Sequence, residues 1–568
     1  MMETSIAMTG RNVTWPVAGA RRRRSAGRRA VAGSIIGVTI GLAAPSTVFA
    51  AILAEDALPV AKPGLSDAPF VEWHASSQKI LRKEVVVRAA IADVWHAWTT
   101  REGIASFFIP ESNIDLRIGG PFELFMAMDK PDESGLRGSE TCRILSYLDN
   151  EMLSFEWNFP PAVMNLRKSG AKTHVVIRFR EIGEGQVKVT LSQLGWGKGE
   201  AWDAGYAYFD KAWGMVLNML KDHFDKREAA AAPKARPPAE LKEKTWVDKH
   251  VTVTSIEGES KRQDFELVIP APVEAVWNVL TTREGLEKIG GRNSTVELMP
   301  GGKWEFWPGS PTRVQSYLPM EMLVVTGSAP PQFPEVQKGG HWGVYFFDPV
   351  DANKTRLRLN VVGWKEGGEW RSAFEYFLKN NPIFLEWIYS EFAFPVETTD
   401  GPNGQSMSAV VNAPRSAVWK AFTTKEGLES WMVASAEFDL RIGGEMRTHY
   451  SQEGVLGDAN TIVNEVICYE PERMLSIRIK KPPEKFPFKS AWKNMWTVIY
   501  FDDAPDGKTR VRIVGLGHHE DEESKQMRAF FKRGNAATLR TLQEKFAPTD
   551  ESASQAVRSS SNPINQEN

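Results

Sequence analysis

One ten-residue phrase recurs three times in this chain and constrains its fold more than any other feature. Each copy starts with Val-Trp and ends with Thr-Thr-Arg/Lys-Glu-Gly: 94–103, 276–285 and 418–427. A Gly-Gly pair follows every copy at the same interval from its Trp: Gly119-Gly120, Gly301-Gly302 and Gly443-Gly444. Landmarks that recur in one order indicate three copies of one domain.

The spacing of the copies indicates self-sufficient domains rather than short stacked repeats. Each copy has roughly 140 residues, the usual size of a domain with its own core, whereas solenoid repeats have about 20 to 50. A further landmark recurs downstream, a Tyr followed by a Met-Leu pair: 147–153, 317–323 and 469–475. The chain therefore contains three domains of one kind.

Within a copy, hydrophobic periodicity predicts a strand, two short helices, an antiparallel meander and a long closing helix. In the first copy the closing helix carries its large apolar side chains on one face: Phe209, Trp213, Val216, Leu217, Leu220 and Phe224. Pro382 interrupts the same stretch of the second copy and predicts a kink there. We expect an α+β protein in which each antiparallel sheet wraps around a long C-terminal helix.

A cavity is expected between helix and sheet, because one helix rarely fills the concave side of a twisted sheet. The candidate lining residues of the first copy are aromatic or aliphatic: Phe122, Phe125, Trp157, Phe179, Trp213 and Leu217. Arg117 and Arg441 precede their Gly-Gly turns and are candidates to meet an anionic head group at the cavity mouth. Ordinary core packing is the alternative for the apolar residues, and an ordinary surface position is the alternative for the arginines.

No catalytic set, metal site or cofactor site is expected. His518-His519 precedes four acidic residues, but adjacent imidazoles point apart, so we interpret this string as a solvated turn and helix start. No Gly-rich phosphate loop or Gly-x-Ser-x-Gly elbow occurs in the sequence. The net charge of −2 argues against a nucleic-acid partner, which would require a basic face.

The two cysteines, Cys142 and Cys468, lie in different copies, so a disulfide within one domain is excluded. Counted from the Tyr and Met-Leu landmark, Cys468 aligns with Ser146 of the first copy. We expect both cysteines to be buried structural thiols.

The N-terminus predicts an export signal. Arginines at 21–24 and 28–29 precede an uncharged stretch at 31–54, and Val48-Phe49-Ala50 supplies small residues at a cleavage site. The arginine pair favours a twin-arginine signal, with an uncleaved membrane anchor as the alternative. Either interpretation places the three domains in the periplasm or outside the cell, with membrane contact only through the N-terminal segment.

These observations predict the boundaries along the chain. The expected segments are an export signal at 1–50, a linker at 51–79, domains at 80–228, 250–397 and 405–547, linkers at 229–249 and 398–404, and a disordered tail at 548–568.

The first and third copies resemble a known family. Both follow the Val-Trp phrase with Asp-Leu-Arg-Ile-Gly-Gly, at 115–120 and 439–444, and the first copy adds Gly-Trp-Gly-Lys-Gly-Glu-Ala-Trp at 195–202. These motifs resemble the START-like (SRPBCC) superfamily, in the branch named after the C-terminal domain of the activator of heat-shock protein 90 ATPase. The second copy departs from the pattern, with Glu-Leu-Met-Pro at 297–300. The resemblance implies a helix-grip fold that often binds lipids, polyketides or other hydrophobic molecules, without an invariant catalytic set.

We therefore expect an exported, non-enzymatic protein that binds a hydrophobic small molecule or lipid in helix-grip cavities. One alternative is a protein-interaction or co-chaperone-like module that grips a client protein or ATPase. Another is a cyclase-like or hydrolase-like enzyme, which would require buried polar residues to converge in one copy. The sequence displays no such convergence.

Overall fold

The computed structural model describes residues 79–126, 130–228, 242–258, 261–401 and 404–548. The predicted export signal, nearly all of the linker at 51–79 and nearly all of the tail at 548–568 lie outside these residues. Among the residues described, no helix is both long and apolar enough to cross a lipid bilayer.

Domain 1 is an antiparallel sheet covered by one long helix. Its strands are β1 Leu81–Arg88, β2 Ser112–Ile114, β3 Phe122–Leu124, β4 Ile144–Leu148, β5 Met152–Asn158, β6 Lys172–Gly183 and β7 Gln186–Leu194. Its helices are α1 Ile91–Thr99, α2 Arg101–Phe107, α3 Met164–Lys168 and α4 Glu200–Glu228. The sheet order is β1-β7-β6-β5-β4, and β2 pairs with β3 in a separate ribbon.

Domain 2 repeats this arrangement and extends it at one edge. Its strands are β8 Lys242–Asp248, β9 Val251–Glu257, β10 Arg262–Ile269, β11 Thr295–Val296, β12 Trp304–Glu305, β13 Val314–Leu318, β14 Met322–Thr326, β15 Trp342–Asp351 and β16 Lys354–Val362. Its helices are α5 Val273–Thr281, α6 Arg283–Lys288, α7 Pro334–Gln337 and α8 Gly368–Ala393. The main sheet order is β13-β14-β15-β16-β10-β9-β8. Strand β8 lies within the predicted linker 229–249, and α8 continues through Pro382.

Domain 3 has the largest sheet. Its strands are β17 Glu397–Gly401, β18 Gly404–Val411, β19 Ser435–Phe438, β20 Glu445–His449, β21 Ile462–Glu470, β22 Met474–Lys481, β23 Trp496–Ala504 and β24 Lys508–Leu516. Its helices are α9 Arg415–Thr423, α10 Lys425–Glu429 and α11 Glu522–Lys545. The sheet order is β17-β18-β24-β23-β22-β21-β20-β19. Strand β17 covers most of the predicted linker 398–404, because that segment pairs with β18.

The recurring phrase forms the same helix junction in all three domains. The hydroxyls of Thr100, Thr282 and Thr424 each accept a hydrogen bond of 3.0 Å from a glycine N–H three residues later. Each threonine is the N-cap of the second short helix and satisfies one of its free N–H groups. The predicted fold class, three tandem helix-grip domains of α+β type, is confirmed.

Domains 1 and 2 pack through the outer faces of their sheets. The hydroxyl oxygens of Ser146 and Ser316 are 2.6 Å apart and fully buried. The Trp342 indole donates a 2.9 Å hydrogen bond to the carbonyl oxygen of Tyr147 and packs against its ring, with centroids 5.0 Å apart. Apolar residues of domain 1 join the core of domain 2: Leu148, Met152, Val176 and Leu194.

This pairing has approximate two-fold symmetry. The strand register makes His174 of domain 1 equivalent to Trp342 of domain 2. His174 pairs with the last residue of β7, and Trp342 pairs with the last residue of β16. The contact between Tyr147 and Trp342 therefore has a symmetric counterpart. In that counterpart Tyr317 packs against His174, with ring centroids 5.5 Å apart. Reciprocal use of the same positions defines an isologous interface.

Replacing Trp342 by Ala should lower the free energy of unfolding by about 3 to 5 kcal/mol, because a large ring is removed from a buried interface. Trp342→Phe keeps an aromatic ring on Tyr147 and should lose clearly less. Chemical denaturation followed by intrinsic fluorescence measures both changes. Equal losses in the two variants would contradict packing through the ring.

Candidate functional site

In each domain the interior beneath the C-terminal helix is the candidate site, and in domain 1 aromatic rings fill it. Phe122 stacks on Phe155 with ring centroids 4.0 Å apart, and Trp157 lies 5.1 Å from Trp213. Five of the predicted lining residues belong to one buried cluster: Phe122, Trp157, Phe179, Trp213 and Leu217. These residues pack against one another as core.

A short chain of hydrogen bonds crosses the interior of domain 1. The Trp213 indole donates to Gln193 Oε1 at 2.7 Å, and Gln193 Nε2 donates to Thr173 Oγ1 at 2.8 Å. The Thr173 hydroxyl donates to the carbonyl oxygen of Trp157 at 3.0 Å. The polar atoms in this series of hydrogen bonds thus have their partners within domain 1, which stabilises a closed interior.

The remaining predicted site residues lie away from this interior. Phe125 is half-buried, with the guanidinium of Arg137 5.1 Å from its ring centroid. The Arg117 and Arg441 side chains are 65% and 70% exposed, and each pairs with an aspartate two residues earlier, at 2.5 and 2.7 Å. Ligand contact by any of the eight predicted residues stays a prediction.

Domain 3 places polar residues at positions that are apolar in domain 1. Leu81 pairs with Gln193 across β1 and β7, whereas Gln405 pairs with Gly515 across β18 and β24. Gln405 therefore stands at the position of Leu81. Trp196 follows Gln193 by three residues, and His518 follows Gly515 by three residues. His518 therefore stands at the position of Trp196.

The closing helix of domain 3 follows the same trend. On its buried face α11 carries Asn535 and Thr538, where α4 carries Trp213 and Val216. The apolar core of domain 3 is divided into two clusters, whereas domain 1 has a single cluster. Asn535 lies one turn from Phe531 of one cluster and one turn from Leu539 of the other, so polar residues separate the two clusters.

Two of these polar side chains lack partners in the part of the chain that the structure describes. Gln405 is 1% exposed and His518 is 6% exposed. Neither amide atom of Gln405 and neither ring nitrogen of His518 has a hydrogen-bond partner there. A Cβ placed on Gly515 would lie 3.3 Å from His518 Nε2 and 3.8 Å from Gln405 Nε2, so both side chains approach one point on the sheet.

Burial lowers the pKa of His518 to about 4, with Arg528 and His519 adding positive charge nearby. The ring is therefore neutral near pH 7, with one N–H donor and one acceptor nitrogen. The Gln405 amide adds two donor hydrogens and a carbonyl acceptor. This pair can bind a hydroxyl, carbonyl or amide group, and it offers no charge to a carboxylate or ammonium group.

The prediction of a solvated turn at His518-His519 was wrong for His518, because that ring lies on the buried face of the sheet. The expectation that no copy gathers buried polar residues was also wrong, for domain 3. A position-by-position comparison of the three copies contained the signal. Leu81 is replaced by a glutamine in both later copies, Gln263 and Gln405, whereas Trp196 and Trp364 give way to a histidine only in the third copy, at His518. Only the third copy is polar at both positions.

The two cysteines differ in burial. Cys142 is buried as predicted, and this burial raises the pKa of its thiol to about 12. Cys468 is only partly buried, so the prediction was wrong there. It lies on the outer face of the sheet of domain 3, at the position that Ser146 and Ser316 occupy inside the domain interface.

Two concave features lie between domains 1 and 2. An open cleft of about 550 Å³ is lined mainly by charged residues, and a smaller one of about 190 Å³ lies beside Trp342. The charges of the larger cleft pair with one another, as in Arg180 with Asp348 at 3.5 Å and Arg358 with Asp348 at 3.2 Å. Within the described ranges, no three His, Cys, Asp or Glu residues are grouped as metal ligands would be.

An antiparallel sheet closed by one long helix, repeated three times, defines a protein of the START-like, helix-grip class. The chain belongs to the family described as Activator of Hsp90 ATPase homolog 1-like protein. The family model matches residues 88–225, 270–380 and 412–547, which together make up more than half of the chain.

Several solved structures are similar to parts of this chain. Protein Ms6760 from Mycobacterium smegmatis is 17% identical over 27% of this chain and 99% of its own, with a TM-score of 0.22. The Aha1 dimer from Colwellia psychrerythraea is 12% identical over 25% of this chain and 96% of its own, with a TM-score of 0.20. The di-domain ARO/CYC BexL of the BE-7585A biosynthetic pathway is 14% identical over 51% of this chain and 99% of its own, with a TM-score of 0.20. The comparison with curated proteins gave no match.

Replacing Trp213 by Ala should lower the free energy of unfolding by about 3 to 5 kcal/mol, because the ring packs in a filled core. Trp213→Phe should lose less, since it keeps most of the ring and removes only the indole donor to Gln193. Denaturant titration measures both losses. A small loss in the Ala variant together with loss of a bound molecule would instead identify the ring as part of a binding pocket.

Acid should weaken the fold through its buried histidines. Burial lowers the pKa of His174, His341 and His518 to about 4, whereas a histidine in the unfolded chain has a pKa of about 6.5. The unfolded state therefore binds more protons between these values, and the free energy of unfolding should fall as pH decreases from about 6.5 to about 4. His518→Gln should make this decline shallower, and His519→Gln should not, when denaturation is measured at a series of pH values. An unchanged slope in His518→Gln would show that the folded protein protonates this ring normally.

Proposed function

We propose that this chain is a non-enzymatic binding protein whose third domain encloses a small amphipathic molecule beneath its C-terminal helix. The observation that carries the proposal is the pair Gln405 and His518, buried with four polar atoms that lack partners among the described residues. A buried polar group without a hydrogen bond costs about 1 to 3 kcal/mol. Such a cost is offset when a bound molecule or ordered water supplies the missing bonds.

The surroundings of the pair favour a molecule with an uncharged polar head and an apolar body. Gln405 and the neutral ring of His518 match a hydroxyl, carbonyl or amide group. In this proposal the apolar cluster of the same domain that contains Ile479, Phe488 and Phe531 contacts the rest of the molecule. The family resemblance implies a hydrophobic or lipid-like ligand, and we propose that this ligand carries a hydroxyl, carbonyl or amide group at one end.

Domains 1 and 2 have a scaffolding role in this proposal. The interior of domain 1 is occupied by its own aromatic side chains, and the polar groups of Trp213, Gln193 and Thr173 are hydrogen-bonded within the domain. The two domains bury their outer sheet faces against each other. They hold domain 3 through helices, since Arg540 of α11 pairs with Glu391 of α8.

We also propose that the protein works outside the cytoplasm, on the basis of the basic and uncharged segments at 21–54. N-terminal sequencing of protein recovered from a periplasmic extract tests this, and a mature chain that starts just after Ala50 is expected. An intact N-terminus on cytoplasmic protein would contradict export and strengthen the alternative of a co-chaperone-like module.

Native mass spectrometry of the full protein tests the binding proposal, with a co-purified small molecule as the expected result. His518→Trp together with Gln405→Leu installs the residues of domain 1 and should reduce the bound fraction at least about tenfold, because the missing head-group bonds are worth more than 1.4 kcal/mol. His519→Trp is the matched control, since His519 is exposed and adjacent, and it should leave binding unchanged.

Three results would contradict this proposal. Wild-type protein that carries no small molecule, even after incubation with a lipid extract, would leave water as the partner of Gln405 and His518. Equal binding in the double variant would place the molecule elsewhere. Chemical conversion of the bound molecule would favour the cyclase-like or hydrolase-like alternative.

A further inference from the structure

The outer sheet face of domain 3 carries the same landmarks that join domains 1 and 2. In β21 a bulge places Cys468 opposite Ser476, as a bulge in β4 places Ser146 opposite Ser154. The next residue in each domain is the landmark tyrosine, which is Tyr469 in domain 3. The equivalence holds residue by residue, because the three bulges lie at the same place in the strand.

A tryptophan completes this face. Trp496 pairs with Leu516 as the first residue of β23, just as Trp342 pairs with Val362 in domain 2. Domain 3 thus presents Cys468, Tyr469 and Trp496 where domain 2 presents Ser316, Tyr317 and Trp342. We call these three residues, together with Met474 and Tyr500, the domain 3 outer face.

The domain 3 outer face is less buried than the equivalent residues of domains 1 and 2. Trp496 is 39% exposed, whereas Trp342 is 5% and His174 is 4% exposed. Domain 3 contacts domain 2 on its opposite side, through Lys249 with Glu544 at 2.9 Å and through the α11 to α8 ion pair. Among the described residues, no hydrogen bond or ion pair links the domain 3 outer face to domain 1 or domain 2.

We propose that the domain 3 outer face is the interface through which two copies of this chain form a two-fold symmetric dimer. The packing of domains 1 and 2 supports this proposal, because the equivalent faces of those domains pack against each other with approximate two-fold symmetry. Of the three outer sheet faces in one chain, only two can pair with each other. The outer face of domain 3 is therefore left to pair with a second molecule. The symmetry axis passes beside Cys468, because its equivalents Ser146 and Ser316 meet at 2.6 Å.

The charged residues of the domain 3 outer face differ from those between domains 1 and 2. Arg473 replaces Glu151 and Glu321, which pair across the interface of domains 1 and 2 with Arg358 and Arg82. Asp502 stands at the position of Asp348, which lines the same cleft as Glu321. Arg512 stands at the position of Arg358, so the ion pair of Glu151 with Arg358 is not repeated in the dimer, and Arg473 pairs with Glu470 of its own domain at 3.4 Å.

The dimer should be weaker than the pairing within the chain. Glu470 stands at the position of Leu148 and Leu318, which are 2% and 0% exposed in the interface of domains 1 and 2. A charged group at this position reduces the apolar area that association buries. Exchange between monomer and dimer is the expected behaviour.

Cys468 supplies a direct test in the full-length protein. With an added thiol oxidant, two Cys468 thiols that meet at the axis should give up two protons and two electrons to that oxidant and form one disulfide between chains. Non-reducing electrophoresis should then show a covalent dimer in the wild type and in Cys142→Ala, and none in Cys468→Ser. Cys142 is fully buried, so it does not compete.

Sedimentation velocity over a range of concentrations provides an independent readout. Trp496→Glu should weaken the dimer at least about tenfold, since a central tryptophan is a typical anchor of an interface. Val455→Glu is the matched control, because Val455 is 71% exposed in the same domain but lies in the loop between β20 and β21, away from the domain 3 outer face, and it should leave the dimer unchanged.

Three outcomes would overturn the proposal: a wild-type monomer at every concentration, a dimer that persists in Trp496→Glu, or a dimer that oxidant does not cross-link through Cys468. The cross-linking result stands on wild-type protein, so it decides the question even where Trp496→Glu fails to fold.

Discussion

Each domain depends on one constraint, the burial of a concave sheet face beneath a single long helix. Large side chains must fill the space between them, or polar groups there must find partners. Domain 1 meets the constraint with stacked aromatic rings and with Gln193, whose amide bonds to Trp213 and Thr173. Domain 3 has smaller and more polar residues at the same positions, so its interior depends on hydrogen bonds that its described residues do not supply. The three copies thus share a fold and differ in the chemistry of their interiors.

The convex faces of the sheets follow a second rule. A sheet with apolar residues on both faces needs two covers, and the helix provides only one. Domains 1 and 2 cover each other, with Ser146 and Ser316 at the axis and reciprocal contacts on both sides. Domain 3 has the tyrosine and the tryptophan of this face, but no residue described in the other two domains covers them. In our proposal a second copy of the chain provides this cover.

Much of the fold follows from local patterns. The Thr-Thr phrase predicts a capped helix junction, and the Thr282 hydroxyl accepts the expected N–H bond. Periodicity identifies the closing helices and the buried face of α4. The strands β8 and β17 escaped prediction, because they have exposed, polar sequences and are held by pairing at a sheet edge. His518 was misread for a related reason, since its burial comes from the position of β24 next to β18 and not from its neighbours in sequence.

The sequence by itself determined three domains of one family, their α+β architecture and the order of their elements, because periodicity, caps and turns act over a few residues. Only the tertiary structure decided which interior is closed by aromatic rings and which holds unpartnered polar atoms. It also decided that two sheets pack face to face while the third exposes Trp496. These features depend on contacts between residues far apart in the chain, and no local pattern specifies which distant side chain completes a hydrogen bond or covers a ring.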